Sequence, residues 1–104
     1  MSHIAETRHY AARARKLLDE NDRKAVRGIL RIDPLHGAII PGSGGVRKMR
    51  YALPGRGKSG GVRIIHYYKA LDDMVFLLDI YAKKQKENLT RGEINEIKKL
   101  VGRL

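Results

Sequence analysis

The sequence predicts an α+β domain: two N-terminal helices and a C-terminal helix around a small antiparallel β-sheet, in the order α-α-β-β-β-α. Three observations carry this. Apolar residues recur at helical spacing before residue 33 and again after residue 90. Between them, two apolar-basic runs, 46–53 and 62–69, flank a Pro-Gly-Arg-Gly-Lys-Ser-Gly-Gly connection, the pattern of a hairpin with a long loop. A third run, Met74–Ala82 (MVFLLDIYA), is the most apolar of the chain and reads as its central strand. The 104 residues suffice for one domain, spanning 1–104, and not for a second core.

Each element has its own signal. Tyr10, Ala14, Leu17 and Leu18 fall on one helical stripe, placing a first helix from about Glu6 to Leu18. Asp19 can cap a second, with Val26, Ile29 and Leu30 on one face; Gly28 weakens it, and Pro34 with Gly37 ends it. This αα-hairpin should cover one side of the sheet. Residues 35–45 read as a loop that tucks Ile39 and Ile40 against the core. On the first hairpin strand, Lys48 and Arg50 share a face, with Met49 and Tyr51 on the other. After a turn at Leu71–Asp73, strict alternation in the third strand sends Phe76, Leu78, Ile80 and Ala82 toward the helices. Val75, Leu77, Asp79, Tyr81 and Lys83 then face away. Thr90 to Glu93 is a T-x-x-E capping box, opening a last helix with Ile94, Ile97, Leu100, Val101 and Leu104 on one stripe.

Charge narrows the function. The net charge is +11 and the pI about 10.3, which favours polyanionic partners, nucleic acid first. Residues 41–69 hold seven of the eleven glycines, two of the three prolines and seven Lys or Arg, and no acid occurs from Pro34 to Ala70. With no cysteine, disulfides and thiolate chemistry are excluded. No apolar run approaches the roughly 18 residues of a membrane span, and the N-terminus lacks a signal-peptide core. A cytoplasmic protein with no membrane partner is the expectation.

Several chemistries can be set aside. ALPGRGKS, residues 52–59, fits a relaxed phosphate-binding loop, but a strand follows it where the motif needs a helix N-terminus. The four histidines, His3, His9, His36 and His66, show no metal-ligand spacing, and neither metal nor other cofactor is expected. His66, beside Tyr67 and Tyr68, suits a proton carrier but reads more simply as a half-buried strand residue. The serines, Ser2, Ser43 and Ser59, are terminal or in glycine loops and build no catalytic triad.

What remains is a set of cations. If the three strands pair consecutively, Lys48, Arg50, Arg63, Lys83, Lys84 and Lys86 converge on one side of the sheet, near Tyr67 and Tyr81. Arg47 on the strand, with Arg56 and Lys58 in the loop, adds phosphate-binding charge. Cations interleaved with tyrosines suit single-stranded RNA, with charge on phosphate and rings for stacking. For any one lysine a solvated surface is the simpler account, but an acid-free group of this size asks for more. RNA carries its own nucleophile, the 2′-hydroxyl. A protein need only position it, take its proton, neutralise the phosphate and protonate the leaving 5′-oxygen. A lysine crowded by cations favours its neutral form and can serve as the base, while arginine binds non-bridging oxygens bidentately.

The runs IPGSGGVRKMR (40–50), PGRGKSGGVR (54–63), Tyr67-Tyr68, Tyr81-Ala-Lys-Lys and Leu89-Thr90 resemble toxins of the RelE/HigB type, within the RelE/ParE superfamily of bacterial type II toxin–antitoxin modules. The resemblance runs from the second helix to the last. It implies a RelE-like fold with helices on one sheet face and ribosome-dependent cleavage of mRNA in the A site. It also implies neutralisation by a cognate antitoxin, with operator DNA bound only through the toxin–antitoxin complex. By position, Lys48 and Arg50 match the family's paired basic strand residues, a candidate general base and phosphate ligand. Arg63 matches the arginine at the scissile phosphate, and Lys84 the candidate acid or transition-state stabiliser, with Lys83 and Lys86 beside it. One departure stands out: Leu89 and Thr90 occupy the region where some members carry a tyrosine. Alternative readings are a ParE-like gyrase inhibitor without nuclease activity and a plain RNA-binding module.

Overall fold

The computed structural model describes residues 1–53 and 61–104. Its elements are β1 (His3–Glu6), α1 (Arg8–Leu17), α2 (Glu20–Ile32), β2 (Ala38–Ile39), β3 (Arg47–Tyr51), β4 (Val62–Lys69), β5 (Met74–Ala82) and α3 (Arg91–Val101). The strands form one sheet in the order β1-β5-β4-β3-β2. The α+β class and the six expected elements are present, with two further strands at the sheet's edges. β1 lies parallel to β5, so the sheet is mixed rather than wholly antiparallel. β2 pairs antiparallel with β3, so Ile39 stands on a strand that leaves it half exposed instead of tucked away.

Capping fixes where the helices start. Thr7 accepts from the Tyr10 amide and donates to the Leu77 carbonyl, tying the start of α1 to β5. Asp19 and Asp22 form a reciprocal capping box on α2, and Asp22 also accepts from the Tyr51 hydroxyl at 2.9 Å. The start of α2 is thereby fastened to β3. Thr90 and Glu93 form the expected capping box on α3.

The sheet is covered on both faces, which corrects the expectation of helices on one. Tyr10, Ala14 and Leu18 from the α1 segment and Val26 and Leu30 of α2 pack with Met49, Val62, Ile64, Val75, Leu77 and Ile80. A second cluster joins Val46, Ile65, Leu78 and Tyr81 to Leu89, Ile97, Leu100 and Val101, placing α3 on the opposite face. The expected alternation in β5 also fails. Phe76 and Leu78 join the α3 cluster, while Val75, Leu77 and Ile80 join the other. The cause is a register shift: Ile65 pairs with Asp79 but His66 with Leu77, so β5 carries one extra residue and its faces exchange there.

Candidate nucleic-acid interface

The ladder brings the strand cations together. Arg50 on β3 stands opposite Arg63 on β4, which stands opposite Tyr81 on β5. Directly opposed residues in an antiparallel pair share a face, and Tyr81 belongs to the α3-side cluster. Arg50 and Arg63 therefore lie on that face, as does Lys48 two residues along β3. Arg47 falls on the other face, where it reaches the Gly37 carbonyl at 2.9 Å.

Two glycines hold the strand ends close. Gly61 has φ +61° and lies so near the Tyr51 carbonyl that a Cβ would collide with it. Its own carbonyl accepts from the Lys83 amide at 3.1 Å. The last residues of β3, the first of β4 and the exit of β5 are thus bound at one end of the sheet, next to the Arg50–Arg63–Tyr81 row. Gly37, at φ +99°, likewise leaves no room for a Cβ against the Lys48 carbonyl.

The expected site residues do not all stand alike. Arg50, Lys83 and Lys84 are exposed. Lys48 is partly buried, and its Nζ donates to Asn88 Oδ1 at 2.7 Å. Arg63 is 5 % exposed, and one of its contacts runs from Nη1 to the Val62 carbonyl at 3.2 Å. Lys86 lies over the Tyr81 ring, 5.0 Å from its centroid, and pairs with Glu93, whose carboxyl this bond holds below its ordinary pKa. It braces the turn into α3. Tyr67 is half-buried against the α3-side cluster.

Tyr81 requires a correction. It is 0 % exposed, so its ring has no free face on which a base could stack. Burial pushes its phenol pKa up, while nearby Arg63 pulls it down. The sequence suggested a platform because Tyr81 follows the polar turn of the strand pattern; the bulge and α3 close over it instead. Arg56 and Lys58 lie outside the described residues.

Sequence reasoning missed Asn88. It sits two positions before the α3 cap, and nothing local announces that it meets Lys48, 40 residues earlier. It also missed a cavity of about 300 Å³ beside that pair, walled by Ile39, Ile40, Pro41, Leu89 and Ile94. Asp79, the acid nearest this region in the ladder, is already engaged. It accepts from the Ile80 amide at 2.7 Å and meets His9 at 3.0 Å and Arg13 at 3.5 Å.

Residues 3–104 match the family described as "RelE toxin of RelE / RelB toxin-antitoxin system". Among solved structures, the chain is similar to an Escherichia coli RelE double mutant in the free state. The TM-score is 0.63 at 15 % identity, over 91 % of this chain and 95 % of that one. It is similar also to isolated E. coli RelE (0.57, 13 %, over 96 % and 99 %). The intact E. coli RelBE toxin–antitoxin complex matches at 0.55 and 15 %, over 77 % and 94 %. At such identities these likenesses concern the fold.

Proposed function

The chain belongs to the RelE toxin family, and on that premise we propose that it is a ribosome-dependent endoribonuclease that cuts mRNA in the A site. The observation that carries this is the cross-strand row: Arg50 directly opposite Arg63, with Lys48 on the same face. Like charges placed opposite each other on a sheet are destabilising. A phosphate between them turns that repulsion into binding.

In this reading Lys48 takes the proton of the 2′-hydroxyl. The 2′-oxygen attacks the adjacent phosphorus, and the bond to the 5′-oxygen breaks. The products are a 2′,3′-cyclic phosphate and a 5′-hydroxyl end. Arg50 and Arg63 hold the non-bridging oxygens, where fixed donors stabilise charge developing in the transition state. Lys84, exposed just beyond β5, protonates the departing 5′-oxygen, and Lys83 binds a neighbouring phosphate. Membership of a toxin–antitoxin family supports a cognate antitoxin as partner, and the +11 charge calls for an acidic segment in it.

The test is primer-extension mapping of mRNA 5′ ends after brief induction in bacteria, for wild type, Arg63→Ala and Arg50→Ala. Arg50 is exposed, so its variant separates lost chemistry from lost folding. Cuts confined to translated frames, at a fixed codon position, and absent from both variants are the expected result. Growth arrest with intact mRNA would sink the nuclease and point to gyrase.

A further inference from the structure

We propose that the cavity beside Lys48 is the subsite for one nucleobase flanking the cut, and that Asn88 at its mouth is a specificity-determining residue. The inference rests on the endoribonuclease reading. Four features of the cavity carry it.

First, the walls are aliphatic, and among the described residues the polar side chains on the lining are Lys48 and Asn88. Ligand pockets combine an apolar body with a few placed polar groups, and about 300 Å³ is the small end of their roughly 300–1,000 Å³ range. One planar ring system suits that size. Second, the cavity is built onto the strand that bears the proposed base. Ala38 of β2 pairs directly with Lys48 of β3, and the Ile40 amide donates to the Val46 carbonyl at 2.8 Å, so backbone bonds hold this wall against the start of β3. The opposite wall, Leu89 and Ile94, belongs to the capped start of α3.

Third, Asn88 is oriented. Its Oδ1 accepts from Lys48, which leaves the Nδ2 donors for another group, and no described residue takes them. A base edge offering an acceptor meets that donor, and single-stranded RNA is read through such edges on splayed-out bases. Fourth, the base needs a surface, and Tyr81 does not supply one because it is buried. Ile40, packed on the α3-side cluster and lining the cavity, gives an apolar surface on the same side as the cations, whereas Ile39 pairs with Arg47 on the other face. An mRNA whose phosphate rests on Arg50 and Arg63 has its neighbouring base close to this wall.

The experiment maps 5′ ends across many transcripts for wild type, Asn88→Ala and Ile40→Trp, with melting temperatures of the purified proteins. Asn88→Ala removes the donor at an exposed position, and Ile40→Trp, on the cation side of the wall, fills the cavity. The expected result is a change of about tenfold or more in which base is preferred beside the cut, with cleavage still present. A uniform fall in cutting at every site, with base preference kept, overturns the specificity role and leaves Asn88 only as a partner of Lys48. Unchanged cutting in Ile40→Trp together with escape from antitoxin assigns the cavity to the antitoxin and also overturns the proposal. Absence of cuts in wild type removes the nuclease reading itself, a distinct outcome.

Discussion

His66 is the one buried histidine of the four. Its Nε2 meets the His36 carbonyl at 2.8 Å, while Nδ1 has no hydrogen-bond partner among the described residues. Protonating Nδ1 would place a charged donor in a dry site, across the ladder from Arg47. Burial first, with Arg47 and His36 adding to it, lowers the pKa to about 4, against the raising effects of the His36 carbonyl bond and Asp33. The ordinary value is 6.5, so at intermediate pH the unfolded chain binds the proton that the folded one refuses. Stability is therefore fully present above about pH 6.5 and falls as pH drops toward 4, by about 3 kcal/mol in all. Urea unfolding at a series of pH values checks this. In His66→Gln, which keeps a donor for the carbonyl, the loss between those values should shrink by most of that amount. The sequence allowed His66 either role, proton carrier or strand residue, and full burial favours the second. Tyr81 went the other way. A tyrosine at the polar end of a strand pattern looks available until a distant helix covers it, and no local signal reports that.

At the scale of elements, α3 stands apart: none of its residues is fully buried, and Ile97, Leu100 and Val101 only edge onto the cluster. Its start carries more structure than its body. Thr90 Oγ1 accepts from the Glu93 amide at 3.1 Å, Glu93 accepts from the Thr90 amide at 2.8 Å, and Glu93 also holds Lys86. Thr90→Ala should cost about 1 kcal/mol. Because α3 is shallowly docked, the cost should appear as roughly fivefold faster hydrogen exchange in α3 amides. Amides of β4 and β5 should keep their protection; loss across the whole sheet would show instead that α3 opens only with the core. The same elements show what was legible. β3, β4, β5 and all three helices stood out because each carries a cap, a period or a run of its own. β1 and β2 did not. HIAE is four residues with one strongly apolar side chain, and it becomes a strand only because β5 offers it a parallel edge. Ala38–Ile39 is shorter still. The β5 bulge was likewise illegible: MVFLLDIYA is apolar enough to face either way, and register with β4 decides.

For the molecule as a whole, the question is where the +11 charge acts. On the side of α1 and α2, acids consume much of it. Arg23 and Arg27 both grip Glu6, Arg27 also reaches Glu20, and Arg13 meets Asp79. The segment from Pro34 to Ala70 supplies no acid, so the excess is concentrated on β3, β4 and the exit of β5. Among the described residues no helix is long and apolar enough to cross a membrane. Binding to single-stranded RNA releases counterions, and the logarithm of the affinity falls with the logarithm of salt concentration by about 0.7 per phosphate contacted. If the excess charge acts at the proposed site, Arg50→Ala should weaken binding of a short single-stranded oligoribonucleotide and reduce that slope by about 0.7. Lys24→Ala, which removes a likewise exposed cation from α2, should leave the slope unchanged. Titrations of both variants at several salt concentrations decide between a focused site and a diffuse field. Equal reductions would mean that RNA samples the whole surface, and the row of Arg50 and Arg63 would lose its claim to be the place where phosphate is held.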